Sequence, residues 1–232
     1  GVLWYQGESN CLKGDGPQYT DKLRALIGDW RRAWNRADLP FFFVQIAPWL
    51  YSGRSSPQVV LTPESLPEFW MAQTAVLREP RTGMVVIGDT VTQLTNIHPA
   101  NKQEVARRLA LQALKRVYGK ERGEVESPLF SAAVPQEGKL VVRFEGAESG
   151  LETRDGKDPA HLEVAGEDGV FHPAHARMEN SSLRVWSENV LVPKRVRHCW
   201  REDAIPNLRN REGLPVAPFD SVKWPGGLGP RW

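Results

Sequence analysis

The first half of the chain alternates short apolar runs with amphipathic segments. Three apolar runs, rich in aromatic and β-branched residues, predict buried strands at residues 2–5, 41–47 and 84–87. Apolar residues at the spacing of one helical face predict helices over residues 19–34, from residue 66 and after residue 99. The order β-α-β-α-β-α predicts a parallel sheet with helices on its faces.

The pattern changes near residue 124. Helical periodicity ends there, and short alternating runs are separated by turns that contain glycine and aspartate. Four of these runs predict strands, at residues 139–144, 161–164, 182–186 and 195–200. Asp155-Gly156 and Asp168-Gly169 are typical hairpin turns. We therefore predict an α/β domain over residues 1–124 and a small antiparallel β-sandwich over residues 125–232.

Composition narrows the class of protein. The 232 residues are 41% hydrophobic and 25% charged, with a net charge of +2, which is typical of a globular protein. No apolar run approaches the roughly 18 residues of a membrane span, and the charges are interspersed, so neither a membrane nor a nucleic-acid partner is predicted. The chain begins inside an apolar run and supplies three strands where about five or six are usual, which suggests a piece of a longer protein.

Polar residues follow the first predicted strand. Ligands of parallel sheets bind beyond the carboxyl ends of the strands, so Gln6, Glu8 and Asn10 are candidate site residues. Gly7 stands among them, and we expect it to let the backbone approach a ligand closely. Ser9 adds a hydroxyl to the same cluster.

The third predicted strand leads to a second group of candidates. Asp89 follows that strand, and the loop beyond it ends in Asn96, Ile97 and His98 before a helix. An imidazole at a helix entrance on this side of the sheet is well placed to act as a general base. The following helix carries basic residues that predict a solvated face, namely Arg107, Arg108, Lys115 and Arg116. The chain's two cysteines, Cys11 and Cys199, are predicted to be free thiols.

Several stretches resemble a known family. Residues 4–10 (WYQGESN), 97–105 (IHPANKQEV) and 107–110 (RRLA) are similar to the sialate O-acetylesterase family of carbohydrate esterases, which belongs to the SGNH hydrolases. The likeness continues in the second half, at residues 166–169 (GEDG), 207–208 (NL) and 213–219 (GLPVAPF). The resemblance implies a flavodoxin-like parallel sheet, of which residues 1–124 would be the C-terminal part, and a β-rich domain after it.

The resemblance also implies a chemistry. Members hydrolyse acetyl esters on sugars with a serine nucleophile, a histidine base and an oxyanion hole. By matched position His98 is the base and Gln6 the oxyanion donor, while Glu8 orients a neighbour and is a candidate partner of the histidine. The implied substrate is an acetylated carbohydrate, with no cofactor and no metal, and the implied location is secreted or periplasmic. In the loop over residues 48–65, Trp49 and Tyr51 are candidates to face the sugar.

Two departures from the family pattern leave alternatives open. Relatives commonly have Asp two residues before the histidine, where this chain has Asn96. Either Glu8 or Asp89 supplies the missing charge, or activity is weakened. The family's nucleophilic serine lies upstream of residues 4–10, and no residue here matches it, so the chain alone is predicted to be inactive. The alternative hypothesis is a non-catalytic carbohydrate-binding or structural module derived from such an esterase.

Overall fold

The computed structural model describes residues 1–120, 123–226, 228 and 232, which form two compact units. The first unit contains residues 1–120, the short segment 201–203 and the described residues from 225 onwards. The second unit contains residues 123–200 and 204–224. The assignment of two domains that meet at residue 124 stays a prediction.

The first unit is built on a parallel sheet. Its strands are β1 (Val2–Trp4), β2 (Phe41–Val44) and β3 (Thr82–Val85), in the order β1-β2-β3. The helices are α1 (Glu8–Leu12), α2 (Gly16–Ala33), α3 (Ser65–Ala75) and α4 (Lys102–Arg116). Short 3₁₀ turns lie at Ser52–Arg54, Val76–Arg78 and Gly88–Thr90. The predicted α/β class is confirmed, and α1, which the periodicity did not indicate, is an addition.

The amphipathic pattern explains how the longer helices pack. Helix α2 buries Tyr19, Leu23 and Ile27, which are four residues apart and therefore share one face. Asn101 caps α4, because its side-chain oxygen accepts a hydrogen bond from the backbone N–H of Glu104 at 3.1 Å. Strand β2 is buried along its whole length, as expected of a strand covered on both faces. No helix in the described part of the chain is long and apolar enough to cross a membrane.

The second unit is antiparallel and β-rich. One four-stranded sheet has the order β4-β5-β10-β9 and another has the order β13-β11-β7-β8, while β12 and β6 form a pair. Side chains from both larger sheets, including Val142, Val185, Val196 and Phe219, share one apolar core, so the predicted sandwich is confirmed. The strands are β4 (Leu129–Gln136), β5 (Lys139–Glu145), β6 (Leu151–Thr153), β7 (Leu162–Ala165), β8 (His172–Pro173), β9 (His175–Glu179), β10 (Ser182–Trp186), β11 (Arg195–His198), β12 (Leu208–Asn210) and β13 (Phe219–Asp220).

One of the two predicted hairpin turns is correct. Asp168-Gly169 lies between β7 and β8, which pair antiparallel, and Gly169 has a φ of +72°. The prediction for Asp155-Gly156 is wrong. This turn follows β6, which pairs with the distant β12 instead of with the next strand. Turn chemistry identifies where the chain reverses but not which strand becomes the partner.

Candidate active site

The turn after β1 is fixed by a glycine. Gly7 is buried with a φ of +151°, and a Cβ on it would lie 2.9 Å from Ile46 Cγ2 and 2.9 Å from Phe69 Cε1. The glycine is therefore required by close packing against two side chains of the first unit, while close approach of its backbone to a ligand stays a prediction. Helix α1 begins at the next residue, Glu8.

A chain of polar contacts holds the amide of Gln6. Its Nε2 donates to Asn10 Oδ1 at 2.6 Å, and Asn10 Nδ2 donates to Asp15 Oδ2 at 2.8 Å. The ammonium of Lys22 lies 2.7 Å from the same Asp15 oxygen. The Tyr19 hydroxyl donates to the backbone oxygen of Gln6 at 2.9 Å and lies 3.4 Å from its Oε1. Two predicted residues, Gln6 and Asn10, are thus in direct contact.

Glu8 lies among buried groups of the first unit. Burial and then the charge of Glu8 raise the pKa of Tyr5 well above its ordinary value, and the same carboxylate contributes to the raised pKa of Tyr51. Burial, followed by the carboxylates of Glu202 and Glu8, raises the pKa of the Cys11 thiol to about 12. The carboxylate of Glu8 therefore lies close enough to Tyr5, Tyr51 and Cys11 to influence all three groups.

The structure corrects the prediction that Trp49 and Tyr51 face a ligand. Both side chains are buried, and their rings meet edge to face at 4.9 Å between centroids. The Arg54 guanidinium lies 5.3 Å from the centre of the Trp49 ring. These two aromatic residues pack within the first unit, because contact between their large rings removes apolar surface from water.

His98 stands in the loop that leads into α4. Its side chain is exposed and lines a small open pocket together with Val91, Thr92, Gln93, Asn96, Pro99 and Ala100. The Asn96 side-chain oxygen accepts a hydrogen bond from the backbone N–H of His98 at 2.9 Å. Asn96 therefore shapes the turn that carries the histidine, and its amide is directed at the backbone instead of at the imidazole.

Asp89 forms a buried ion pair with Arg108. Arg108 is only 2% exposed, and its Nη1 and Nη2 each lie 2.7 Å from one carboxylate oxygen of Asp89. The same guanidinium donates to the backbone oxygen of Val86 at 2.6 Å and to Glu104 Oε1 at 2.7 Å. The prediction of a solvated Arg108 is therefore wrong, because three acceptors on the end of β3 and on α4 replace its water. Asp89 supports this end of the sheet through Arg108.

The predicted residues form two groups. Gln6, Glu8 and Asn10 gather at the end of β1, while Asn96 and His98 share the loop before α4. In the described residues, no hydrogen bond joins the His98 imidazole to any residue of the first group or to Asp89. Between α4 and the residue before Gln6 there is one cation-π contact, in which Lys102 Nζ lies 5.0 Å from the centre of the Tyr5 ring.

Sequence reasoning missed Asp15 and Tyr19, which hold Gln6. Asp15 directly precedes α2, so its sequence position indicates a helix cap and gives no sign of contact with Asn10. Tyr19 belongs to the buried face of α2, and this position gives no sign of the polar role of its hydroxyl.

Among the residues that the structure describes, no group of three His, Cys, Asp or Glu side chains is arranged to hold a metal ion.

Comparison with known families agrees with this fold and this arrangement of motifs. Residues 1–114 match the family described as "Carbohydrate esterase, sialic acid-specific acetylesterase". This match confirms the resemblance carried by residues 4–10 and 97–105.

Individual relatives agree with the family. The chain is 34% identical over 145 residues to the sialate O-acetylesterases of Homo sapiens and Pongo abelii, which covers 56% of this chain and 26% of each relative. A crystal structure of a carbohydrate acetylesterase from Xanthomonas citri is 36% identical with a TM-score of 0.85, over 95% of this chain and 50% of that one. The chain thus spans about a quarter of the length of these curated relatives and half of the solved structure.

Proposed function

We propose that the protein to which this chain belongs hydrolyses O-acetyl esters on carbohydrates through an acyl-serine mechanism. The family match over residues 1–114 and relatives named as acetylesterases support this reaction. The observation that carries the proposal is the held amide of Gln6 at the end of β1, where a parallel sheet binds its ligands. The substrate class is an acetylated carbohydrate.

The proposed role of Gln6 follows from counting its donors. The Nε2 group carries two N–H bonds, and Asn10 accepts one of them. The second is available to the oxygen that becomes negative when the acetyl carbonyl is attacked. A held donor costs no reorganisation during the reaction, and removing one such donor typically raises the barrier by about 2.7–4 kcal/mol.

His98 is the proposed base. It would take the proton of the serine hydroxyl during attack and return it to the sugar oxygen that leaves. Its exposure and the turn fixed by Asn96 favour access to a substrate. Because Arg108 engages both carboxylate oxygens of Asp89, Glu8 is the proposed source of negative charge for the imidazolium.

The serine nucleophile is not assigned to a residue of this chain. Ser9 is exposed on the five-residue helix α1, and no hydrogen bond in the described residues joins its hydroxyl to a histidine. It therefore lacks the contact that would activate it. As the family resemblance implies, we also propose that the protein is secreted or periplasmic, which cell fractionation tests.

The second candidate function is a non-catalytic carbohydrate-binding module. The neutral Asn96, which contacts the backbone instead of the imidazole, favours this second function.

Acetate release by the full-length native protein separates the two hypotheses, with p-nitrophenyl acetate and acetylated sugars as substrates. We expect hydrolysis that is lost in His98→Ala and kept in His175→Ala, a control at an exposed histidine of the second unit. Equal rates for wild type and His98→Ala would remove His98 from the mechanism.

A further inference from the structure

The polar chain behind Gln6 has a fixed direction. Amide groups can present either an oxygen or an N–H to a neighbour, and a hydroxyl both donates and accepts. An ionised carboxylate only accepts, so Asp15 requires Asn10 to turn its Nδ2 toward it. Asn10 then presents its Oδ1 to Gln6, and Gln6 must donate a hydrogen bond to this oxygen from Nε2. Among these contacts Asp15 is the group whose chemistry determines the orientation of both amides.

We propose that Asp15 is a positioning residue that orients the Gln6 amide, through Asn10, so that an N–H of Gln6 faces the acyl oxygen. This inference rests on the proposed function and adds a residue to its oxyanion site. Reversal of the Asn10 amide would bring Gln6 Oε1 into the position of Nε2, so that an oxygen lone pair instead of an N–H faces the place where the oxyanion forms. The carboxylate at the far end of the chain therefore decides whether the site attracts or repels developing charge.

Two observations support a directing role over a structural one. Asp15 precedes the 18-residue helix α2, where an aspartate usually accepts a hydrogen bond from a backbone N–H of its own helix, yet its side chain makes no such bond. Its carboxylate instead binds Asn10 and Lys22. The hydrogen bond from Lys22, followed by that from Asn10, lowers the pKa of Asp15, which keeps the group ionised and therefore an acceptor.

A double-mutant cycle in the full-length native protein tests the proposal. Gln6→Ala, Asp15→Ala and the double variant are compared for kcat and KM on an acetylated sugar. Asp21→Ala is the matched control, because Asp21 lies on the same helix with its side chain 84% exposed. Thermal unfolding of each variant checks that the fold is intact.

We expect Gln6→Ala to lower kcat by about 10²–10³-fold, the usual effect of losing an oxyanion donor. Asp15→Ala should lower kcat by about tenfold with little change in KM, because a misdirected donor is weakened in the transition state more than in the bound substrate. In the Gln6→Ala background, Asp15→Ala should have no further effect. An equal loss in both backgrounds, or no loss in either, would overturn the proposal.

An exchange of the two polar groups provides a second test. Asn10→Asp alone places two carboxylates together and should lower kcat. Asn10→Asp combined with Asp15→Asn removes this repulsion, keeps an acceptor facing Gln6 Nε2 and should recover kcat to within about threefold of wild type. Failure of the exchange to recover kcat above Asn10→Asp would contradict the directing role.

The orientation of Gln6 is also observable without activity. The side-chain amide NMR signals of Gln6 should shift and broaden in Asp15→Ala but not in Asp21→Ala. If these signals change while Gln6→Ala keeps full kcat, the orienting contact stands and the proposed oxyanion role fails. If they do not change, the positioning proposal itself is wrong.

Discussion

Arg108 binds Asp89 through two parallel contacts, Nη1 to Oδ1 and Nη2 to Oδ2, each 2.7 Å long. The pair joins α4 to the segment after β3, nineteen residues earlier in the chain. Since α4 begins four residues after His98, the same contact anchors the loop that carries the proposed base. A buried guanidinium at this point supports the site without touching a substrate.

Loss of this buried arginine should destabilise the protein strongly. Arg108→Ala removes the guanidinium from a buried ion pair with Asp89 and from the backbone oxygen of Val86. We expect the free energy of unfolding to fall by about 3–5 kcal/mol, as when one partner of a buried ion pair is removed. Urea denaturation measures this change in the free energy of unfolding. Arg107→Ala is the control, because Arg107 is about half exposed and its pair with Glu104 should contribute about 0–1 kcal/mol.

Gly7 should not tolerate a side chain. Gly7→Ala places a methyl group 2.9 Å from both Ile46 and Phe69 at a backbone φ of +151°. We expect a loss of about 1–3 kcal/mol from overpacking, measured by thermal or urea unfolding. Gly16→Ala is the matched control, since its Cβ would meet no atom within 4 Å at the start of α2. If the two variants are equally stable, the packing role of Gly7 is wrong.

Stability on the acid side should depend on His198. Burial, and then the nearby His161, lowers the pKa of His198 from 6.5 to about 3. Between pH 6.5 and about 3 the unfolded chain binds a proton at this histidine that the folded chain does not. The contribution of the neutral His198 to the free energy of unfolding is therefore fully present above pH 6.5 and is lost as the pH falls toward 3. The slope from this group is up to about 1.4 kcal/mol per pH unit. His198→Gln should flatten the measured dependence of unfolding free energy on pH.

Both cysteines should be unreactive in the native protein. Cys11 and Cys199 are free and buried, and burial is the first cause of the raised pKa of each thiol. Since the thiolate is the reactive form, a thiol reagent such as Ellman's reagent should label neither residue until the protein is unfolded by denaturant. Rapid labelling of a native cysteine, assigned by mass spectrometry of the labelled peptide, would contradict this burial.

The sequence predicted the features that depend on local patterns. Tyr19, Leu23 and Ile27 repeat at helical spacing, and the aromatic run of β2 is continuous, so both elements are visible without a structure. Helix α1 has five residues, too few for periodicity to appear. Its presence depends on a glycine that packs against residues 39 and 62 positions away, which local pattern does not show.

Long-range partners explain what was missed at the site. Arg108 lies on a helix with other basic residues, and its charge alone predicts solvation. Its burial depends on Asp89, and the orientation of Gln6 depends on Asp15. Motif positions indicated candidate residues such as Gln6 and Asn10, which are in contact, while the contacts that fix their orientation required coordinates.

Chemical rescue tests most directly the central claim that His98 is the general base. The imidazole of His98 lines an open pocket, so His98→Ala leaves space for free imidazole to enter. In the full-length native protein, we predict that His98→Ala lowers hydrolysis of an acetylated sugar by about 10²–10⁴-fold. Added imidazole should restore part of the rate in proportion to its unprotonated fraction. Wild-type rates in His98→Ala without imidazole, unchanged when imidazole is added, would contradict the account.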